Sequence, residues 1–271
     1  MSVTYDGIVN AQKIQGDIIR KTSLTFSDTF SHLTGSTVYL KNEFEQKTGS
    51  FKLRGAYYKI KTLTEDERKN GVGAASAGNH AQGVAFASTL EKIDCTIVMP
   101  KNASPAKIAA TRGYGATVVL EGKNYDEAWV KAQEIAKTTG ATIIHAFDDT
   151  QIISAQGVIG LEIIEDLPDV DEIYVPIGGG GLAAGVLIAI KAKNPNVKII
   201  GVESKSFPSM KNSLDSGKIE TINGGFTVAD GISVRTPGKQ TFEIIKDKID
   251  EIVLVDDDEI INAMFLLMER S

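Results

Sequence analysis

The stretch GVGAASAGNHAQGVAFASTLEKIDCTIVMP, Gly71 to Pro100, decides the fold class. A short apolar run, "GVGAAS", passes through the turn "AGNHAQG" into the helical pattern "VAFASTLEK", and "CTIVMP" reads as the next strand. Strand, crossover helix and strand over this length make a βαβ unit, and such a crossover forces parallel pairing. The alternation continues downstream. "PAKIAATRGYG" reads as a helix, "ATVVLEG" as a strand, "NYDEAWVKAQEIAKTTG" as an amphipathic helix closed by Gly140, and "ATIIHAF" as a strand. After "DDT" come a helix through "SAQGVIGLEIIEDL", a strand "DEIYVPI", the apolar helix opened by "GGGGLAAG" and a strand "VKIIGVES". The fold class expected is α/β, with mostly parallel sheets and helices on both faces. Phe207 to Pro237 lacks periodicity and reads as loop with one short helix at most, and "DDDEIINAMFLLMERS" reads as a helix with acidic residues at its N-terminus.

Composition bounds the function. The 271 residues suit one large or two medium domains, at about 150 residues per domain. The net charge of −6, without a Lys/Arg block, argues against nucleic acid as a partner. No uncharged run approaches the ~20 residues of a membrane span, and the start "MSVTYDGIVNAQKIQGD" is not a signal peptide, so a cytoplasmic protein is expected. The single cysteine, Cys95, excludes an intrachain disulfide and a thiolate zinc cluster, and reads as a small buried hydrophobe.

Two turns carry the chemistry. At Gly178, Gly179, Gly180 and Gly181 four residues without Cβ precede a helix, so backbone N–H groups can approach and hold a phosphate. A dinucleotide fingerprint matches this turn poorly, although Glu203 lies near the distance at which an acidic residue would be sought. The other turn, Ser76 to Gly83, mixes hydroxyl, amide and imidazole groups at a helix start and could receive a carboxylate, though Ser76, Asn79 and His80 each also suit capping or loop roles. Upstream of both, "GSFKLRGA" carries Lys52. A lone lysine is ordinarily a solvated one. Together with a phosphate-sized and a carboxylate-sized site, it describes the needs of pyridoxal phosphate, which presents an aldehyde to a lysine and acts on amino acids.

"KTGSFKLRGA", "SAGNHAQGVAFA", "HAFDD", "VPIGGGGLAAG" and "ADGI", in this order and spanning nearly the whole chain, resemble the serial motifs of the serine/threonine dehydratases, a branch of the fold-type II pyridoxal-phosphate enzymes related to the tryptophan synthase β-subunit. The resemblance implies two three-layer domains, a large cofactor-binding one of residues 1–54 and 149–271 and a small substrate-binding one of residues 55–148. It implies that Lys52 bonds covalently to the cofactor and is the catalytic base, that Phe51 packs beside the pyridine ring and that Asn79 hydrogen-bonds the ring hydroxyl. Gly178, Gly179, Gly180, Gly181 and Leu182 would hold the phosphate through backbone N–H groups, and Gly231 of "ADGI" would line the other side of the cofactor. Ser76, Ala77, Gly78, Asn79 and His80 would receive the substrate carboxylate, with His80 better read as orienting its loop than as catalytic.

The reaction so implied is dehydrative deamination of L-threonine, and also of L-serine, to a 2-oxo acid and ammonia. Serine racemases share these motifs, but the second serine they use as an acid/base is here Ala77. A non-catalytic module that keeps the cofactor fold is the alternative from another class. The divalent-cation site of the family would begin at Glu203, yet its second carboxylate position is Ser209, so no metal is expected. Resemblance also implies a homo-oligomer. Family members continue past the last helix to a Ser/Thr/Cys turn that bonds the pyridine nitrogen and, in biosynthetic enzymes, to an effector domain. The sequence ends at Ser271. The expectation from this is weak cofactor retention, slow turnover and self-association through Ile261, Phe265 and Met268, without isoleucine feedback.

Overall fold

The structure is a computed structural model and describes residues 2–270. The chain opens with helix α1 (Tyr5–Gln15), then strands β1 (Leu24–Phe26) and β2 (Tyr39–Lys41) on either side of α2 (Asp28–Thr34). These two strands pair antiparallel, Thr25 opposite Leu40. Helices α3 (Lys52–Lys61) and α4 (Glu65–Asn70) follow, and α4 starts on a reciprocal capping box between Thr64 and Glu67.

The alternation expected from Val72 onward is present. β3 (Val72–Ala75), α5 (Asn79–Leu90), β4 (Cys95–Met99), α6 (Pro105–Gly113), β5 (Thr117–Leu120), α7 (Tyr125–Thr139) and β6 (Thr142–Ile143) build a parallel sheet in the order β5-β4-β3-β6. All four residues of β3 are buried. One face packs through Ile97 and Met99 against Leu53 and Ile60 of α3 and Val84 of α5. The other face packs through Ala75 and Val98 against Ala128 and Ala132 of α7, completing three layers.

A second parallel sheet, β7-β8-β9, follows from α8 (Thr150–Asp166), β7 (Glu172–Pro176), α9 (Gly181–Lys193), β8 (Lys198–Ser204), α10 (Ser209–Ser216), α11 (Lys239–Ile245), β9 (Glu251–Val255) and α12 (Asp257–Arg270). Val175, Ile177, Leu187 and Ile190 form its core with Met210 and Phe242 from α10 and α11. Helices α8 and α9 cross at bare backbone: a Cβ on Gly185 would lie 2.4 Å from the Ile153 carbonyl oxygen.

Two features depart from the sequence reading and one agrees with it. The short elements α11 and β9 have no strong periodicity of their own, and β9 exists by pairing with β8, Val253 opposite Val202. The segment read as loop with one short helix at most holds one, α10, besides a single 3-10 turn at Asp230–Ile232. The strand expected over "ATIIHAF" is cut to Thr142–Ile143. Ile144 still donates to the Gly73 carbonyl, but the Nδ1 of His145 then accepts the N–H groups of Phe147 and Asp148 and bends the chain away from the sheet. That bend leads the chain to the carboxyl ends of both sheets, where ligands bind in open α/β architectures.

Candidate active site

Lys52 is the first residue of α3. Its Nζ donates to the Ala146 carbonyl at 2.8 Å and stands 5.3 Å from the centroid of the Phe51 ring. Among the described residues no carboxylate pairs with it, and burial lowers its pKa from 10.5 to about 8. The peptide of Lys52 is pressed by α5, since a Cβ on Gly83 would lie 3.2 Å from the Lys52 carbonyl carbon.

The residue after Ala146 reaches the glycine turn. A Cβ on Gly179 would sit 2.3 Å from the Phe147 ring, and one on Gly181 2.9 Å from the Phe147 carbonyl oxygen. Gly178 is covered by Ile232, next to Gly231 of "ADGI", and Gly180 has φ +93° with Thr241 and Met210 against it. The Gly179 carbonyl is turned to Thr241 Oγ1, which donates at 2.6 Å, and to the Gly238 N–H. The N–H groups of Gly181, Leu182 and Ala183 lie in the first turn of α9, where no intrahelical acceptor exists, and α9 adds the positive end of its dipole. Such a turn holds an anion. The Leu182 side chain packs against the second core.

The polar turn is built differently. Ser76 Oγ accepts the Gly78 N–H, and Gly78 caps α5. His80 is buried, and its Nε2 must be the donor to the Ile144 carbonyl at 2.8 Å, because a carbonyl only accepts. Burial first, and then the nearby Lys52 amine, push its pKa down to about 3, so the ring is neutral. Ala77 packs on the first core, and Asn79 is exposed at the rim. Gly231 is likewise exposed.

The bend at 144–147 therefore collects the site: Ile144 holds His80, Ala146 holds Lys52, and Phe147 covers the glycines. The motif "HAFDD" by itself assigns no role to its side chains. Asp148 accepts the N–H groups of Lys239, Gln240 and Thr241 at the start of α11, and Asp149 those of Gln151 and Ile152 at the start of α8. Two acids before a helix are a capping signal that could have been used. Glu203 is fully buried and spends both oxygens on the N–H groups of Met210 and Lys211, and burial pushes its pKa up to about 7. Among the described residues no group of three or more His, Cys, Asp or Glu side chains could hold a metal. Cys95 is buried, which pushes its thiol up to about 11.

Comparison with known proteins gives a consistent result. Residues 16–271 match the family described as pyridoxal-phosphate dependent enzyme. The L-threonine ammonia-lyase of Thermotoga maritima is 51% identical over 269 residues, covering 99% of this chain and 67% of that protein. The processed form of threonine deaminase isoform 2 from Solanum lycopersicum superposes with a TM-score of 0.95 at 39% identity, covering 98% of this chain and 78% of that one. Maize serine racemase superposes with a TM-score of 0.97 at 34% identity, covering 100% and 82%.

Proposed function

The chain belongs to the pyridoxal-phosphate dependent enzymes, and from that premise we propose that it catalyses the dehydrative deamination of L-threonine, and of L-serine, to 2-oxobutanoate or pyruvate and ammonia. The observation that carries the reading is the convergence of a half-buried amine without a counter-charge, a turn of bare N–H groups and a second helix start on one bend of four residues. The residues fit the cofactor: Gly178 to Leu182 would hold its phosphate, Phe51 and Gly231 would flank its ring, and the exposed Asn79 amide is free to reach its hydroxyl. Bound pyridoxal phosphate supplies an aldehyde for an amine and a conjugated ring that spreads the charge left when Cα loses its proton.

The chain supplies the rest. With a pKa of about 8, Lys52 is unprotonated in about one molecule in ten at pH 7, against about one in three thousand for an ordinary lysine. The free amine is the base for the Cα proton. The Ala146 carbonyl accepts one of its N–H groups and so directs its lone pair. The N–H groups opening α5, with Ser76, Ala77 and Gly78 ahead of them, receive the substrate carboxylate. His80 stays neutral through the working pH range, so it holds the turn to Ile144 and exchanges no proton.

The likeness to maize serine racemase does not separate racemisation from elimination, because the fold is common to both. Ala77 favours elimination: a methyl stands where racemases carry the hydroxyl of their second serine, and His80 is neutral and bonded to Ile144. Threonine and serine differ by one methyl, worth ~1–3 kcal/mol in a pocket, so both substrates react. A small substrate-binding domain of residues 55–148 against a large one of 1–54 and 149–271, a cytoplasmic location and a homo-oligomeric state complete the proposal. The two parallel sheets support the division into two domains, and no described helix is long and apolar enough to cross a membrane.

The test is borohydride reduction of the cofactor-loaded chain with peptide mapping, alongside a 2-oxo acid assay. Pyridoxyl label on Lys52 and 2-oxobutanoate from L-threonine are expected. Label on Lys59 or Lys61 would reject the lysine, and label without any oxo acid would favour the non-catalytic module.

A further inference from the structure

Two residues beyond Lys52, in the first turn of α3, stands Arg54, the largest side chain with no exposed surface. Its guanidinium is gripped from two sides. Nε and Nη2 donate to the two oxygens of Glu43 at 2.8 Å each, and Nη1 and Nη2 donate to those of Glu162 on α8 at 2.6 and 2.9 Å. Lys41 at the end of β2 lies 2.6 Å from the same Glu162, and Thr22 donates to Glu43 at 2.6 Å. The backbone is held as well: Gln15 Nε2 donates both to the Arg54 carbonyl and to that of Ala155 on α8.

Neither helix stability nor core packing accounts for this arrangement. A cation in the first turn opposes the helix dipole, and a buried ion pair is commonly matched or exceeded in stability by apolar side chains of the same volume. What two forked carboxylate contacts do provide is direction, because the planar guanidinium accepts them in only one orientation.

We propose that Arg54 is a positioning residue for Lys52, clamping the first turn of α3 between Glu43 and α8 so that the Lys52 amine is held in its place against the Ala146 carbonyl. The inference rests on Lys52 being the residue that bonds the cofactor. A displacement of about 1 Å at a reacting group costs on the order of 100-fold in rate.

The experiment compares wild type with Arg54→Lys, which keeps the charge and loses both forks. In the cofactor-free chain, the pH dependence of borohydride-trapped labelling of Lys52 by pyridoxal phosphate reads the titration of the amine. It is expected to move up from about 8 toward 10.5. In the loaded enzyme, kcat per folded molecule is expected to fall about 100-fold. A lowered urea midpoint with an unchanged labelling profile and unchanged kcat per folded molecule would make Arg54 structural only and overturn the proposal. Should Arg54→Lys not fold, Glu43→Gln removes charge from one fork. A smaller shift of the labelling profile in the same direction is then expected, and an unchanged profile overturns the proposal equally. Wild type that turned over threonine but took its label on another lysine would instead remove the premise, whatever the variants did.

Discussion

At the turn opening α9, a methyl group on Gly179 would lie 2.3 Å from the Phe147 ring, whereas on Gly78, at the turn opening α5, it would meet nothing within 4 Å. Both turns follow a parallel strand, and both end in free helical N–H groups. They differ in what surrounds them. Gly178 to Gly181 are pressed by Ile232, Phe147, Thr241 and Met210, so the backbone is fixed by packing before any ligand arrives. The turn from Ser76 to His80 is anchored at its two ends, by the Ser76 N–H on Val98 and by His80 on Ile144, with open space at Gly78. A packed cradle suits a group that is always the same phosphate. An open one suits substrates that come and go and differ by a methyl.

The comparison breaks most readily at Gly179. Gly179→Ala drives a methyl into the Phe147 ring, and overpacking of ~1–3 kcal/mol should weaken pyridoxal phosphate binding by about 5- to 150-fold in a titration of its visible absorbance. Adding Phe147→Ala should return part of the loss, and no recovery would mean that the ring is not what fills the space.

Between the two turns, the Lys52 amine finds no carboxylate. Its folded pKa lies below the unfolded 10.5, so the unfolded chain binds more protons between pH 8 and 10.5 and stability rises with pH across that window. Below about pH 8 the full cost is present. Lys52→Met should therefore stabilise the cofactor-free chain by about 3 kcal/mol at pH 7 and bring no gain near pH 10.5. Urea midpoints at the two pH values measure it, and equal differences at both would show that the amine is solvated.

Two smaller effects test the open turn. Ala77→Ser restores a hydroxyl where none is present, and a trace of D-serine from L-serine, seen by chiral chromatography, is the expected gain. Substantial D-serine from the unaltered chain would locate the second proton elsewhere. Gly78→Ala should change stability by less than about 0.5 kcal/mol, since φ is −138° and the space is empty. A loss as large as that of Gly179→Ala would erase the distinction between the turns.

The alternation from Val72 to Ser204, the glycine turn, the polar turn and the lysine were legible because each is written in local chemistry: apolar period, missing Cβ, helix-start residues. Helix α7, between an Asn124 cap and Gly140 at φ +78°, needed nothing beyond its own residues. The elements α11 and β9 were not legible, because seven and five residues carry too little period and owe their existence to Asp148 and to β8. The bend at 144–147 was hidden for a related reason. "ATIIHAF" has the composition of a strand, and only the imidazole of His145, accepting two N–H groups, stops it after Ile143. The sequence by itself determined the fold class, the family likeness and the residue types that the chemistry needs. The tertiary structure alone decided that Lys52 is half-buried without a counter-charge, that His80 is neutral, and that Arg54 is locked between two carboxylates, since each of these depends on partners tens to more than a hundred residues away along the chain.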